Sequence, residues 1–268
     1  MKVSIFSAIF LVLTATCAYA FEKQDMDKLN NTGECKNCDL RGAKLQSKDL
    51  KGAYLKGSNL RDSVLKQINL SNANLVGTDM RRSDLEKATL VSANLEHAIL
   101  QDADMEKAVM TNVNLKYADL RSADFNSASI EGGEFQKADI RKANFKRANL
   151  AGANFSDAKV TEANFKRTIL TNVVMTNTEL KDTNFSRADL TNARLEDADL
   201  RHANFYRAHL VNSDFSDAQL SDATFWGADL SGANLEDANG LEQEQLEFAC
   251  GNEETTLPKN LSIKDCGS

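Results

Sequence analysis

The sequence predicts an all-β solenoid: one uninterrupted rod of stacked coils behind an N-terminal export signal, with a small cap at each end. Three observations predict it. From Leu40 to Leu235 every fifth residue is large and apolar, without a gap: 24 Leu, 9 Phe, 4 Met, 2 Ile and 1 Val in 40 positions. Two residues earlier runs a column of small residues, 26 of them Ala among 40, with Lys48 and Ile68 as exceptions. All nine Phe of the array stand on odd multiples of five, so alternate sides of a coil differ, which requires an even number of repeats per coil.

A period of five matches neither the 3.6 of a helix nor the 2 of a strand. It suits a coil with short flat sides, each pointing one large and one small residue inward. The next two residues turn the corner. Those pairs are rich in turn formers and charges, as in Lys51-Gly52, Ala151-Gly152 and Ser231-Gly232. Between the two inner columns lies Asp or Asn in 24 of 40 units. Their free interchange points to turn hydrogen bonding rather than to acid–base chemistry.

The unit A-(D/N)-L-x-x, repeated 40 times in tandem, resembles the pentapeptide-repeat family. The resemblance covers roughly 200 residues and implies a right-handed quadrilateral β-helix with four units, or about 20 residues, per coil. On that pitch Phe125, Phe145, Phe165, Phe185, Phe205 and Phe225 form one internal ladder, with Phe135, Phe155 and Phe215 on the opposite wall. About ten coils at ~4.8 Å each make a rod of roughly 48 Å.

The expected organisation is a signal peptide at 1–20, an N-terminal cap at 21–37, the β-helix at 38–239 and a C-terminal cap and tail at 240–268. Lys2, the apolar run from Val3 to Leu13 and the Ala18-Tyr19-Ala20 site carry the signal reading. Cys17 lacks the preceding Leu and small residue of a lipidation site. Without Lys2 the chain has 31 Lys and Arg against 39 Asp and Glu, a net charge of −8, which is ordinary solubility. Glu22 to Leu29 and Leu241 to Ala249 read as short helices covering the open ends of the stack, with Leu246 and Phe248 pressed onto the last coil.

Four cysteines follow the signal: Cys35, Cys38, Cys250 and Cys266. An even number in an exported chain suggests disulfides. The rod separates the two pairs by far more than the ~7 Å a disulfide spans, so pairing is local. Cys250–Cys266 is expected to staple the tail; Cys35 and Cys38 are either bridged or a pair of thiols. A zinc site would need both pairs together, and Asp39 stands where a haem-attachment motif has His.

No catalytic constellation is found. His97, His202 and His209 do not converge on the expected pitch. There is no Gly-rich phosphate loop and no nucleophile elbow. The chain is expected to be non-enzymatic, with no cofactor and no metal. What remains is the surface. Period 20 aligns Arg147, Arg167, Arg187 and Arg207, with Lys146 and Lys166 beside them, Lys87 and Lys107 toward the N-terminus, and Tyr206 and Trp226 in the adjoining column. Another corner carries Asp157, Asp197, Asp217 and Asp237.

The expected function is an exported, periplasmic or secreted binding or structural scaffold. Its basic-aromatic strip would meet an unknown protein or anionic glycan of the cell envelope. No nucleic acid is expected as partner, and no later segment is apolar enough to span a membrane. The family resemblance implies an alternative, since some members mimic duplex DNA and act on DNA gyrase. The signal, the basic face and the lack of interrupting loops stand against it. A secreted effector is a third reading.

Overall fold

The computed structural model describes residues 23–267, so the expected signal peptide and Cys17 lie outside the described residues. Helix α1, Lys23–Thr32, runs three residues past the expected end and buries Leu29. From Glu34 onward each repeat contributes one bridged residue. Glu34 pairs with Tyr54, Asp39 with Asn59, and so on in parallel to Gln219 with Asn239, always 20 residues apart. Four repeats therefore make one coil, and the pairing begins four residues ahead of the expected boundary at 38. Each side is too short for a strand of several residues. The walls are ladders of single bridges, and the strands β1, Cys250–Gly251, and β2, Lys264–Asp265, occur only in the tail.

The inner columns fall where the period puts them. Every large position from Leu40 to Leu235 is buried, and so is every small one except Lys48, whose Nζ reaches Asn30 Oδ1 at 2.5 Å. The Phe ladder stacks from Phe125 to Phe225 with centroid spacings of 4.7 to 5.2 Å. Phe135, Phe155 and Phe215 meet it edge to face across the interior, as Phe135 meets Phe145 at 6.1 Å and 86°. Buried Ser and Thr of the small column donate to main-chain carbonyls, as Ser63 does to Leu60 and Thr168 to Phe145, so no hydroxyl there is left unpartnered.

The backbone accounts for the middle Asp or Asn. In a typical repeat four amides have main-chain partners: Leu40 donates to Asn59, Gly42 to Arg61, Ala43 to Leu40, and Asn59 to Cys38. The first corner amide has none, and an unpaired amide is costly where water is partly excluded. All 24 Asp and Asn residues of the middle column accept from that amide two residues on, at 2.8 to 3.4 Å. The second corner residue has positive φ at every turn from Asn37 to Gly232. Such a turn favours Gly or Asn, yet many of these corners carry long side chains.

The C-terminal end differs from expectation. Helix α2 is only Gln243–Leu246, and Leu246 is buried while Phe248 is not. The tail itself continues the ladder: Cys250 pairs with Asp229 and Thr256 with Asn234. Gln245 Nε2 donates to the carbonyls of Leu220 and Ala223. The open edge is thus closed by main chain and one amide side chain. Both disulfides are present, Cys35–Cys38 and Cys250–Cys266. Among the described residues no helix is long and apolar enough to cross a membrane.

Candidate partner-binding surface

The strip is built by turn geometry. Arg147, Arg167, Arg187 and Arg207 occupy second corner positions with φ of 61°, 61°, 59° and 53°. Their amides donate to the first corner residue of the next coil, from Arg147 to Lys166, Arg167 to Ser186, Arg187 to Tyr206 and Arg207 to Trp226. The four guanidinium stems are therefore held in one exposed file, one coil apart. Lys146 and Lys166 sit half-buried beside them. Gly227 follows Arg207 in the file, at φ 68°, where a Cβ would lie 3.1 Å from the Arg207 side chain.

What surrounds the file decides its charge. Its middle column holds Asn144, Asn164, Asn184, Asn204 and Thr224, none of them ionisable. Asn164 Nδ2 donates to Asn144 Oδ1 at 3.2 Å, which in turn takes the Lys146 amide. Among the described residues, Lys146, Arg147, Lys166, Arg167, Arg187 and Arg207 make no ion pair. Lys87 and Lys107, the expected extension, are each neutralised by the preceding Glu, at 2.7 and 2.6 Å. The uncompensated charge is confined to the C-terminal half.

A second arginine column, missed in the sequence reading, makes the contrast. Arg41, Arg81, Arg121, Arg141 and Arg201 stand on another corner, each two residues after an Asp that clamps it. The Arg41 guanidinium holds the Asp39 carboxyl below its usual range, and Arg201 does the same to Asp199. The signal for the difference was in the sequence: Asp precedes these arginines and Asn precedes the strip.

The aromatic end is more elaborate than expected. Trp226 is 50% exposed and stacks on Phe248, 48% exposed, with centroids 4.0 Å apart. Phe248 stands in the irregular cap, where no period marks it. Tyr206 is half-buried, with the Arg207 guanidinium 5.2 Å from its ring. The histidines lie elsewhere: His97 stacks on Tyr117, and His202 Nδ1 lies 3.6 Å from Asp222. Among the described residues, the two clusters with three metal-ligating side chains are Asp25 with Cys35 and Cys38, and Asp229 with Cys250 and Cys266. Their sulfurs are spent on disulfides.

Fold and surface define a repeat solenoid that presents files of side chains. The description "Pentapeptide repeat region" matches residues 78–155 and 153–225, and "Pentapeptide repeats (8 copies)" matches residues 34–67 and 49–86. The chain belongs to the pentapeptide-repeat family. No curated protein matches it. Similar solved structures include HetL, a pentapeptide repeat protein involved in heterocyst differentiation regulation from the cyanobacterium Nostoc. It is 25% identical over 78% of this chain and 95% of its own, with a TM-score of 0.47. QnrB1, a plasmid-mediated fluoroquinolone resistance protein, is 17% identical over 71% of this chain and 88% of its own, with a TM-score of 0.38. A thylakoid-lumen pentapeptide repeat protein of Arabidopsis thaliana is 24% identical over 51% of this chain and 80% of its own, at a TM-score of 0.22.

Proposed function

We propose that the rod is a right-handed quadrilateral β-helix, exported to the cell envelope, where it acts as a non-enzymatic scaffold whose basic strip engages an anionic partner. One observation carries this reading. Six cations stand side by side and, among the described residues, make no ion pair, on a fold that clamps five other arginines with Asp. Unit charges one coil apart repel by ~0.9 kcal/mol in water. An anionic ligand with a similar charge repeat relieves that repulsion along the whole file. Trp226 and Phe248 supply apolar contact at one end, the residue type that anchors interfaces.

The test is cross-linking of the tagged chain in intact cells, followed by mass spectrometry, beside a variant with Glu at Arg147, Arg167, Arg187 and Arg207. An envelope component recovered with the wild type and lost with the variant is the expected result. Equal recovery with both removes the strip from the function. Recovery of gyrase subunits would favour DNA mimicry over an envelope role.

A further inference from the structure

The strip has a counterpart on the same molecule. Asp157, Asp197, Asp217 and Asp237 are all exposed and, among the described residues, form no ion pair. Asn177 fills the remaining place in the file and donates to Asp157 at 2.6 Å. Exposed Glu236 adjoins the file, as does Glu196, which is bound to Arg194 at 2.9 Å.

The two files lie on opposite corners. Phe145 and Phe155, the residues just before Lys146-Arg147 and Ser156-Asp157, meet edge to face across the interior at 6.2 Å and 89°. Residues ten apart are half a coil apart, so the basic corner follows one wall and the acidic corner follows the wall facing it. Both files repeat every 20 residues and occupy overlapping coils of the C-terminal half.

We propose that a second copy of this chain docks side by side with the first, its acidic corner against the basic corner. Charge complementarity identifies the partner, and so does spacing. The acidic file is built on the same coil repeat as the basic file, so the two stay in register along their length without adjustment. The inference rests on the strip being a binding surface, as proposed above, and names one partner for it.

Symmetry then sets the form of the assembly. A two-fold contact lays a patch on its own copy, which would set like charge against like. The attractive contact is heterologous, leaves one basic and one acidic corner free, and propagates as an open row.

Sedimentation velocity of the full chain tests this. At about 20 mM salt the sedimentation coefficient should rise with concentration without reaching a plateau. At about 500 mM salt, where screening acts within a few ångströms, association should weaken at least tenfold. Reversal of the four arginines to Glu, or of the four aspartates to Lys, should each give a monomer. An equimolar mixture of the two variants should associate again, since one is acidic on both corners and the other basic on both. Far-UV circular dichroism establishes that each variant is folded. A wild type that stays monomeric at low salt overturns the proposal, as do variants that associate like the wild type or folded variants that fail to associate when mixed. The Asp-to-Lys variant keeps the strip. Its recovery of an envelope partner, with association lost, separates this proposal from the broader one.

Discussion

Replacing Asn164 with Ala removes two hydrogen bonds at once. Its Oδ1 takes the Lys166 amide at 3.1 Å, and its Nδ2 donates to Asn144 at 3.2 Å. Neutral bonds are each worth ~0.5–1.5 kcal/mol net. The Lys166 corner is half-buried, so water recovers part of the loss, and the expected destabilisation is about 1–1.5 kcal/mol. Asn164→Asp keeps the acceptor and loses only the donation to Asn144, so it should cost about half as much. The urea midpoint of the full chain reads the global effect. Hydrogen exchange at the Lys166 amide reads the local one, which matters in a quasi-one-dimensional array where a single coil can open. An Ala variant with an unchanged midpoint and unchanged exchange would refute the role given to the middle column, and so would an Asp variant as unstable as the Ala variant. The same exchange has a second readout. Asp at Asn144, Asn164, Asn184 and Asn204 together adds four carboxylates to a strip of six cations. The fold should survive, because Asp139 and Asp199 already make the same turn bond. Partner binding and self-association should both be lost.

Phe185→Ala should destabilise by about 3–5 kcal/mol, since Phe185 is fully buried and stacks at 5.2 Å on both Phe165 and Phe205; a loss below about 1 kcal/mol in chemical denaturation would mean the ladder repacks. Ser127 sits at φ 60°, where a Cβ is strained by about 1–2 kcal/mol, so Ser127→Gly should not lower stability, whereas the β-branched Ser127→Val should, measured the same way. Glu86 has its carboxyl lowered to about 2 by its bonds to Lys87 and then Lys66. A pKa depressed in the folded state stabilises above the ordinary value near 4.5 and is lost as pH falls toward 2. Carboxyl NMR should place the Glu86 midpoint near its depressed value, and Lys66→Met should raise it.

The array was legible because every constraint on it repeats. Leu or Phe and Ala fill a space of fixed shape 40 times over, so the period survives individual exceptions such as Lys48 and Ile68. The alternation of Phe gave an even number of repeats per coil, and the ladder from Phe125 to Phe225 followed from the pitch. The tail was not legible, because it bridges at spacings of 21 and 22, Asp229 to Cys250 and Asn234 to Thr256. Its inward residues have lost the phase that identifies them. Phe248 was placed on the core for its hydrophobicity, but the core there is already closed by Leu246, and Trp226 offers the remaining apolar surface. The five clamped arginines were written in the Asp two residues before each of them. Reading it required knowing that the middle side chain bends back over the first corner.

Because four repeats close one coil, the length of an insertion is also an angle. Twenty residues added within the array lengthen the rod by one coil and leave every file in line. Five residues added at the same place keep the interior sequence in phase but turn everything downstream by a quarter revolution. Placed after Phe165, they would break the arginine file between Arg167 and its upstream neighbour Arg147 and set the two pieces on adjacent corners. The surface of this chain can therefore be rotated in quarter turns by a change that keeps the large and small inner columns in phase but parts the phenylalanine ladder between Phe165 and Phe185.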